Sequence, residues 1–409
     1  MIKDILSKQK RELDSKRKEY YIERKAKIKN IESDIIQVIT GPRRAGKSFF
    51  VINTIKENFG YANFDDEQLT ETKDYDEIIS NIDNIYSNPK TIFFDEIQNL
   101  EKWELFVNRL QRQGKKIILT GSNSKLLSSE LATHLTGRYF ETKIYPLSFN
   151  EIINKKEKTT AEIKSEFDKY LYNGGYPEPY SKKLDVSEYL KTLFDATLYK
   201  DVIKRHKIRK TNELEAIAEF IISNSATQLS YNQIAKSLKV KSVETVKKYC
   251  NILEETLMFF SIKKYSNKIR EQHTDSKKIY CIDNGIIKAK AFSTSQNQGK
   301  LLENVIASEL KKTEDKQKIY YWKTQNNEEV DFVIQKNNTI KELIQVCYNT
   351  QNKKTEEREI RALIKAGKEL KCKKLTIITN DEEKKETREW FGMKGTINYI
   401  PAWKWLLEE

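Results

Sequence analysis

Residues 35–48 read IIQVITGPRRAGKS, and the reading of this stretch decides the fold of the N-terminal part of the chain. An apolar run, Ile35, Ile36, Val38 and Ile39, leads into Gly41-Pro42-Arg43-Arg44-Ala45-Gly46-Lys47-Ser48, which meets G-x-x-x-x-G-K-[ST] at every fixed position. A loop of this kind between a buried strand and a helix is a phosphate cradle. Its glycines let successive backbone N–H groups turn inward, and the helix that follows contributes its positive end. The pattern assigns the whole loop, Gly41 to Ser48, to ATP, with Lys47 on the β- and γ-phosphates and the Ser48 hydroxyl on Mg²⁺.

Working outward, the loop should open a helix over residues 49–57, and residues 60–66 read as a short second strand. Lys90-Thr91-Ile92-Phe93-Phe94-Asp95-Glu96-Ile97-Gln98 is an apolar strand ending in adjacent carboxylates, as where a buried parallel strand delivers its C-terminal end to a nucleotide. Asp95 is expected to hold Mg²⁺ through water, and Glu96 to polarise the attacking water. A third strand over 115–120 runs into Gly121-Ser122-Asn123-Ser124. Asn123, with Ser122 behind it, is placed to hydrogen-bond the attacking water or the γ-phosphate; the alternative is an asparagine that caps the next helix.

The succession GPRRAGKS, IFFDEIQ and ILTGSNSKLLSSELATHLTGRYFETKIYPLSFNE resembles the AAA+-type ATPase module of a large prokaryotic family, whose members carry a C-terminal half catalogued as a domain of unknown function. The resemblance implies a Mg²⁺-dependent ATPase in which the polar strand end is a sensor, and it draws attention to the arginine after the S-x-x-L-A-x-x-L-x-G-R helix, Arg138. An arginine aimed at a neighbouring subunit's γ-phosphate is worth roughly 10³–10⁵ in rate. Arg138 acts in trans, which requires a homo-oligomer, or in cis, or it ends a helix. Arg43 and Arg44 are also family-like, with packing or pairing to carboxylates as their expected role. The family's Gly-Gly-x-Pro element corresponds to Gly174-Gly175-Tyr176-Pro177, followed by a helix over 189–201 and the basic tract 200–210.

At 409 residues, two to four domains are expected. With 33% charged and 38% hydrophobic residues, and no apolar run approaching the ~20 residues that span a bilayer, a membrane role is not expected. The N-terminus lacks a signal-peptide pattern, so a cytoplasmic location is expected. Cys250, Cys281, Cys347 and Cys372, like His134, His206 and His273, are scattered without metal-binding spacing. The formal charge of +14 fits a nucleic-acid partner, and equally the habit of a Lys-rich proteome, so its distribution has to decide. Residues 1–34 read as an exposed, mainly helical lead-in.

Residues 213–261 have helix-turn-helix spacing: a helix over 214–222, a second over 229–238, and a third that Ser242 caps. DNA is the expected partner, through phosphate contacts from Lys241, Lys247 and Lys248 on the third helix and Lys263 and Lys264 on a wing over 259–270. A protein-adaptor role is the alternative. The last third reads α-β-β-β-α-β from residue 301 and resembles the PD-(D/E)XK nuclease fold, which implies a Mg²⁺ site of Glu303, Asp331 and Gln345. Residues i and i+2 share a strand face, so the lysine of that pattern would fall at 347, which is cysteine. A degenerate site is therefore expected, unless Lys323, Lys336 or Lys341 reaches in from another element.

The expected fold is α/β: a P-loop NTPase (AAA+-like) parallel sheet over 1–150, a helical linker or lid over 151–212, a winged-helix domain over 213–276 and a restriction-endonuclease-like domain over 277–409. The leading functional expectation is an ATPase whose C-terminal half binds DNA. The alternatives are an ATP-regulated nuclease and a non-enzymatic ATP-controlled assembly switch.

Overall fold

The structure, a computed structural model, describes residues 1–121, 135, 138–153, 158–266, 277–291 and 297–408. The chain divides into two units, Met1–Pro146 with Tyr176–Lys183, and Leu147–Gly175 with Leu184–Glu409.

The first unit is built on a parallel sheet of β1 (Ile36–Thr40), β2 (Phe59–Asn63), β3 (Thr91–Asp95), β4 (Lys116–Gly121) and β5 (Tyr139–Lys143), in the order β2-β3-β4-β1-β5. β1 and β3 lie inside the sheet and are buried at every residue, which is why both read as mainly apolar runs, with Gln37 the one interruption within β1. β5 went unread in the sequence because an edge strand of Tyr, Phe, Glu, Thr and Lys carries no apolar run. Helices cover the faces: α1 (Ile2–Lys16), α2 (Lys47–Thr54), α3 (Tyr75–Tyr86) and α4 (Trp103–Arg112). On α4, Trp103, Phe106, Val107 and Leu110 recur at helical spacing and are buried.

The N-terminal lead-in differs from its expectation as an exposed helix. α1 buries Ile2, Leu6, Gln9 and Leu13, one narrow stripe at spacings of three and four, and joins the core of the unit. Gln9 docks it on β2, its amide donating to the Asn63 carbonyl at 3.0 Å and its carbonyl accepting the Asn63 N–H at 2.9 Å. The stripe was hidden because one of its four positions is a glutamine.

The second unit contains α5 (Thr160–Asn173), α6 (Val186–Thr197), α7 (Thr211–Ser223), α8 (Tyr231–Ser237) and α9 (Val243–Glu255). Ser230 and Ser242 cap α8 and α9 by accepting from the N–H groups of Gln233 and Thr245. Next come β6 (Thr227–Leu229), β7 (Phe259–Lys264) and β8 (Lys277–Cys281), with β8 antiparallel to both of the others. The sheet does not stop there, because β7 pairs in parallel with β9 (Lys318–Lys323). The result is one nine-stranded sheet, β13-β14-β12-β11-β10-β9-β7-β8-β6, which runs across the boundary expected at residue 276. Its remaining strands are β10 (Glu329–Lys336), β11 (Thr339–Cys347), β12 (Leu375–Thr379) and the hairpin β13 (Lys384–Trp390) and β14 (Met393–Pro401). α10 (Asn284–Lys290), α11 (Gln298–Lys311), α12 (Lys353–Glu369) and α13 (Ala402–Glu408) complete the unit. Among the described residues no helix is long and apolar enough to cross a membrane.

Candidate functional site: a phosphate loop and a second, lysine-filled acidic cluster

The loop after β1 is shaped by its glycines. Gly41 has φ +151°, and a Cβ there would stand 1.9 Å from the Ile144 carbonyl oxygen, so no other residue fits the turn. Gly46, at φ +93°, is the N-cap of α2 and brings no side chain to the first-turn N–H groups, which suits a cap supplied by a phosphate. Lys47 is 4% exposed, and its ammonium donates to the carbonyls of Gly41 and Pro42 at 3.2 and 3.1 Å, inside the turn of the loop.

Three hydroxyls meet on Asp95, at the end of β3. Ser48 Oγ donates to Oδ1 at 2.8 Å, Thr120 Oγ1 donates to the same oxygen, and Tyr61 OH donates to Oδ2 at 3.1 Å. Burial and the neighbouring Glu96 raise the Asp95 pKa, against the pull of the hydrogen bonds from Thr120 and Ser48. Glu96 adopts a left-handed conformation at φ 51°, an uncommon one for a residue with a side chain. Its N–H donates to Thr120 Oγ1 at 3.1 Å and its carboxylate accepts from the Gln98 amide. Ser48 and Asp95 are thus adjacent oxygen donors of the kind Mg²⁺ takes, beside a loop fitted to phosphate. Thr120 and Tyr61 were missed in the sequence because each lies inside a strand run of mainly apolar character.

The other expected residues of this site are placed unevenly. Arg44, at φ 61° and largely exposed, pairs with Glu178 at 3.8 Å, and the Pro177 ring lies 3.6 Å from where a Gly46 Cβ would be. Those two residues belong to the short helix Pro177–Lys182, which therefore packs on the phosphate loop within the first unit. Arg43 is half-buried. Arg138 is exposed, and its carbonyl accepts the Ile36 N–H at 3.3 Å. Asn123 and Ser122 lie outside the described residues.

In the second unit, Glu303 comes from α11, Asp331 from β10 and Gln345 from β11, and the structure brings them to one place. At the centre is Lys278 of β8, which sequence reasoning did not single out. Its ammonium lies 2.8 Å from Glu303 Oε1, 2.6 Å from Glu329 Oε1 and 2.8 Å from Asp331 Oδ1, and its side chain is 3% exposed. Burial works against its charge, but Asp331, Glu303 and Glu329 outweigh burial and hold its pKa well above the usual lysine range. Burial and Asp331 push Glu303 up to about 7, against Lys278. Gln345 turns its carbonyl to the Asp331 N–H at 3.1 Å and its amide to Glu359 at 2.5 Å. Of the lysines considered for this site, Lys336 and Lys341 are exposed, while Lys323 pairs with Glu329 at 3.1 Å and donates to Gln228 Oε1 at 2.8 Å. Cys347 is buried in the apolar cluster with Trp322, Val330 and Leu343, and burial pushes its thiol up to about 11.

On the α7–α9 portion, Lys241, Lys247 and Lys248 are exposed around α9, Lys263 is exposed on β7 and Lys264 is half-buried. Lys247 and Lys248 also line an open cleft of about 370 Å³ with His206, Glu244, Asn251, Ile252 and Glu255.

Comparison with known proteins places an AAA domain over residues 33–153 and two domains of unknown function, DUF8612 over 164–297 and DUF4143 over 298–404. The chain is 36% identical over 417 residues to the uncharacterized protein MJ1544 of Methanocaldococcus jannaschii, covering 94% of this chain and 92% of that one. It is 30% identical over 318 residues to an uncharacterized protein of Haemophilus influenzae, covering 72% of this chain and 78% of that one. Among solved structures, a DNA replication initiation factor aligns over 61% of this chain and 86% of its own, with 17% identity and a TM-score of 0.23. C. elegans PCH-2 aligns over 61% of this chain and 68% of its own, with 14% identity and a TM-score of 0.23.

Proposed function

The chain belongs to the protein family that includes MJ1544 and its Haemophilus influenzae relative, with an AAA domain over residues 33–153, and on that premise we propose that it is a Mg²⁺-dependent ATPase whose C-terminal half engages DNA. The observation that carries the ATPase reading is the 2.8 Å contact between Ser48 and Asp95 beside the glycine-shaped loop. It joins the two residues that would hold Mg²⁺ to the element that would hold the triphosphate.

In this reading the loop N–H groups and Lys47 bind the phosphates, Lys47 exchanging the carbonyls of Gly41 and Pro42 for phosphate oxygens. Ser48 and Asp95 would hold Mg²⁺, which would supply positive charge against the phosphate oxygens. Glu96 accepts the proton of the attacking water, from a backbone turn that Thr120 fixes. Arg138, exposed, acts on the nucleotide of a neighbouring copy, which makes the working form a homo-oligomer. DNA lies against α9 and β7, where Lys241, Lys247, Lys248, Lys263 and Lys264 neutralise phosphates without reading sequence.

Two variants test the ATPase. Lys47→Ala should lose nucleotide affinity, and Glu96→Gln should keep it while turnover falls by about 10²-fold or more. Wild-type turnover in Glu96→Gln would falsify the role given to Glu96. For DNA, affinity measured against salt should fall with a log-log slope of about −0.9 per phosphate neutralised. No affinity at low salt removes DNA from the proposal and leaves the assembly switch.

A further inference from the structure

Lys278 sits where the sequence reading had placed a metal. A group of acids alone would argue for nothing; here an ammonium stands within 2.6 to 2.8 Å of three carboxylates brought by two different elements, Glu303 by α11 and Glu329 and Asp331 by β10. Glu329 and Asp331 are two apart on one strand, so both reach the same side of the sheet.

Further donors of the protein engage the same carboxylates. Glu303 Oε1 also accepts from Tyr280 OH at 2.8 Å, Asp331 Oδ2 accepts the Val346 N–H at 2.9 Å, and Glu329 Oε2 pairs with Lys323 at 3.1 Å. The Gln345 carbonyl, the fourth oxygen such a site would need, is turned away to the Asp331 N–H.

Nor is Lys278 on a loop that can swing aside. It lies within β8, in register with Gln228 of β6 on one side and Ile262 of β7 on the other, so its backbone is held from both edges. Withdrawing the ammonium would strand the buried Asp331 and the half-buried Glu303 and Glu329 against one another, and a buried charge whose partner is removed is strongly unfavourable.

We propose that Glu303, Glu329 and Asp331 form a cation site whose cation is the chain's own Lys278, so that the native protein takes no Mg²⁺ or Mn²⁺ there, and that the three carboxylates become a divalent-metal site only when the ammonium is removed. Carboxylate oxygens are the ligands these hard cations take. The inference is independent of the ATPase reading. It gives the cluster a role as an internal ionic tie between the β6–β8 portion of the sheet, α11 and β10, and it removes the metal from the nuclease alternative.

The test is Mn²⁺ binding by nucleotide-free, full-length protein, read as loss of the free-ion paramagnetic resonance signal, in wild type, Asp331→Asn, Lys278→Ala and Lys278→Ala/Asp331→Asn. Any ion on the phosphate loop is common to all four and cancels. Wild type and Asp331→Asn should bind equally, while Lys278→Ala should gain one Mn²⁺ per chain that the double variant lacks. The proposal is overturned if wild type binds an ion that Asp331→Asn does not, if it cuts plasmid DNA with Mn²⁺ in a manner that depends on Asp331, or if folded Lys278→Ala gains nothing. Should Lys278→Ala fail to fold, the comparison of wild type with Asp331→Asn decides by itself.

Discussion

Two buried acidic clusters, one in each unit, are satisfied in opposite ways. Asp95 is held by the hydroxyls of Ser48, Thr120 and Tyr61, neutral donors that fix the carboxylate without cancelling its charge. Glu303, Glu329 and Asp331 are held by the ammonium of Lys278, a positive charge placed among all three. A carboxylate held by neutral hydroxyls still lacks a counter-charge; carboxylates closed around a lysine already have a cation at their centre. The difference lies in the donor and not in the acid, since Asp95 and Asp331 are both buried and both sit on strands inside their sheets.

The contrast breaks most sharply on stability. Lys278→Ala leaves three carboxylates facing one another in a buried site and should cost about 3–5 kcal/mol in denaturant unfolding of the second unit. A loss within ~0.5 kcal/mol would mean that water or a metal already shares the site. The first unit should respond in function instead. Asp95→Asn should lower ATP turnover by about 10²-fold, while Asp331→Asn leaves turnover at the wild-type level. Equal losses in the two variants would erase the distinction between the clusters.

Thr120→Val sharpens the comparison on a smaller scale. The Thr120 hydroxyl donates to Asp95 and accepts the Glu96 N–H at 3.1 Å, so valine of the same shape removes both contacts at once. The expected stability loss is about 1–3 kcal/mol, with turnover reduced and nucleotide affinity retained. An unchanged turnover would show that the left-handed turn at Glu96 holds without Thr120.

What the sequence disclosed follows the same division. The phosphate loop was legible because its eight residues are contiguous and four of them are fixed by backbone geometry or phosphate chemistry, Gly41 most plainly, as its 1.9 Å clash shows. Lys278 was not, because its partners Glu303 and Asp331 lie 25 and 53 positions away, and only the folded sheet brings β8 to α11 and β10. One local sign was present: Lys278 and Tyr280 share a strand face, and both prove to be buried against Glu303. Of the helices in the second unit, α9 was legible from Ser242, which caps it, whereas the helix expected over 229–238 begins only after Ser230, its cap, because Leu229 ends β6. The junction of β7 with β9 was not, since it is a pairing between strands more than fifty residues apart, with no turn signal between them to announce it.

The remaining expected effect is a pH slope, and it separates the clusters without destroying either. Glu303 has a pKa of about 7 in the folded protein against an ordinary value of 4.5, raised first by burial and then by Asp331. The folded state therefore holds the Glu303 proton more tightly than the unfolded chain, and this group's contribution to stability falls as pH rises through the window from 4.5 to about 7. Glu303→Gln removes the titration while keeping an oxygen for the two donors that converge on Oε1, Lys278 and Tyr280, both at 2.8 Å. The stability of Glu303→Gln relative to wild type should accordingly improve between pH 5 and pH 8, by on the order of 1–3 kcal/mol. Asp283, which burial raises to about 6, titrates with the same sign in both proteins and cancels in the difference. A difference that stays flat with pH would place the Glu303 carboxylate fully ionised beside Lys278 throughout, making the lysine's hold on the cluster stronger than the shift in Glu303 implies.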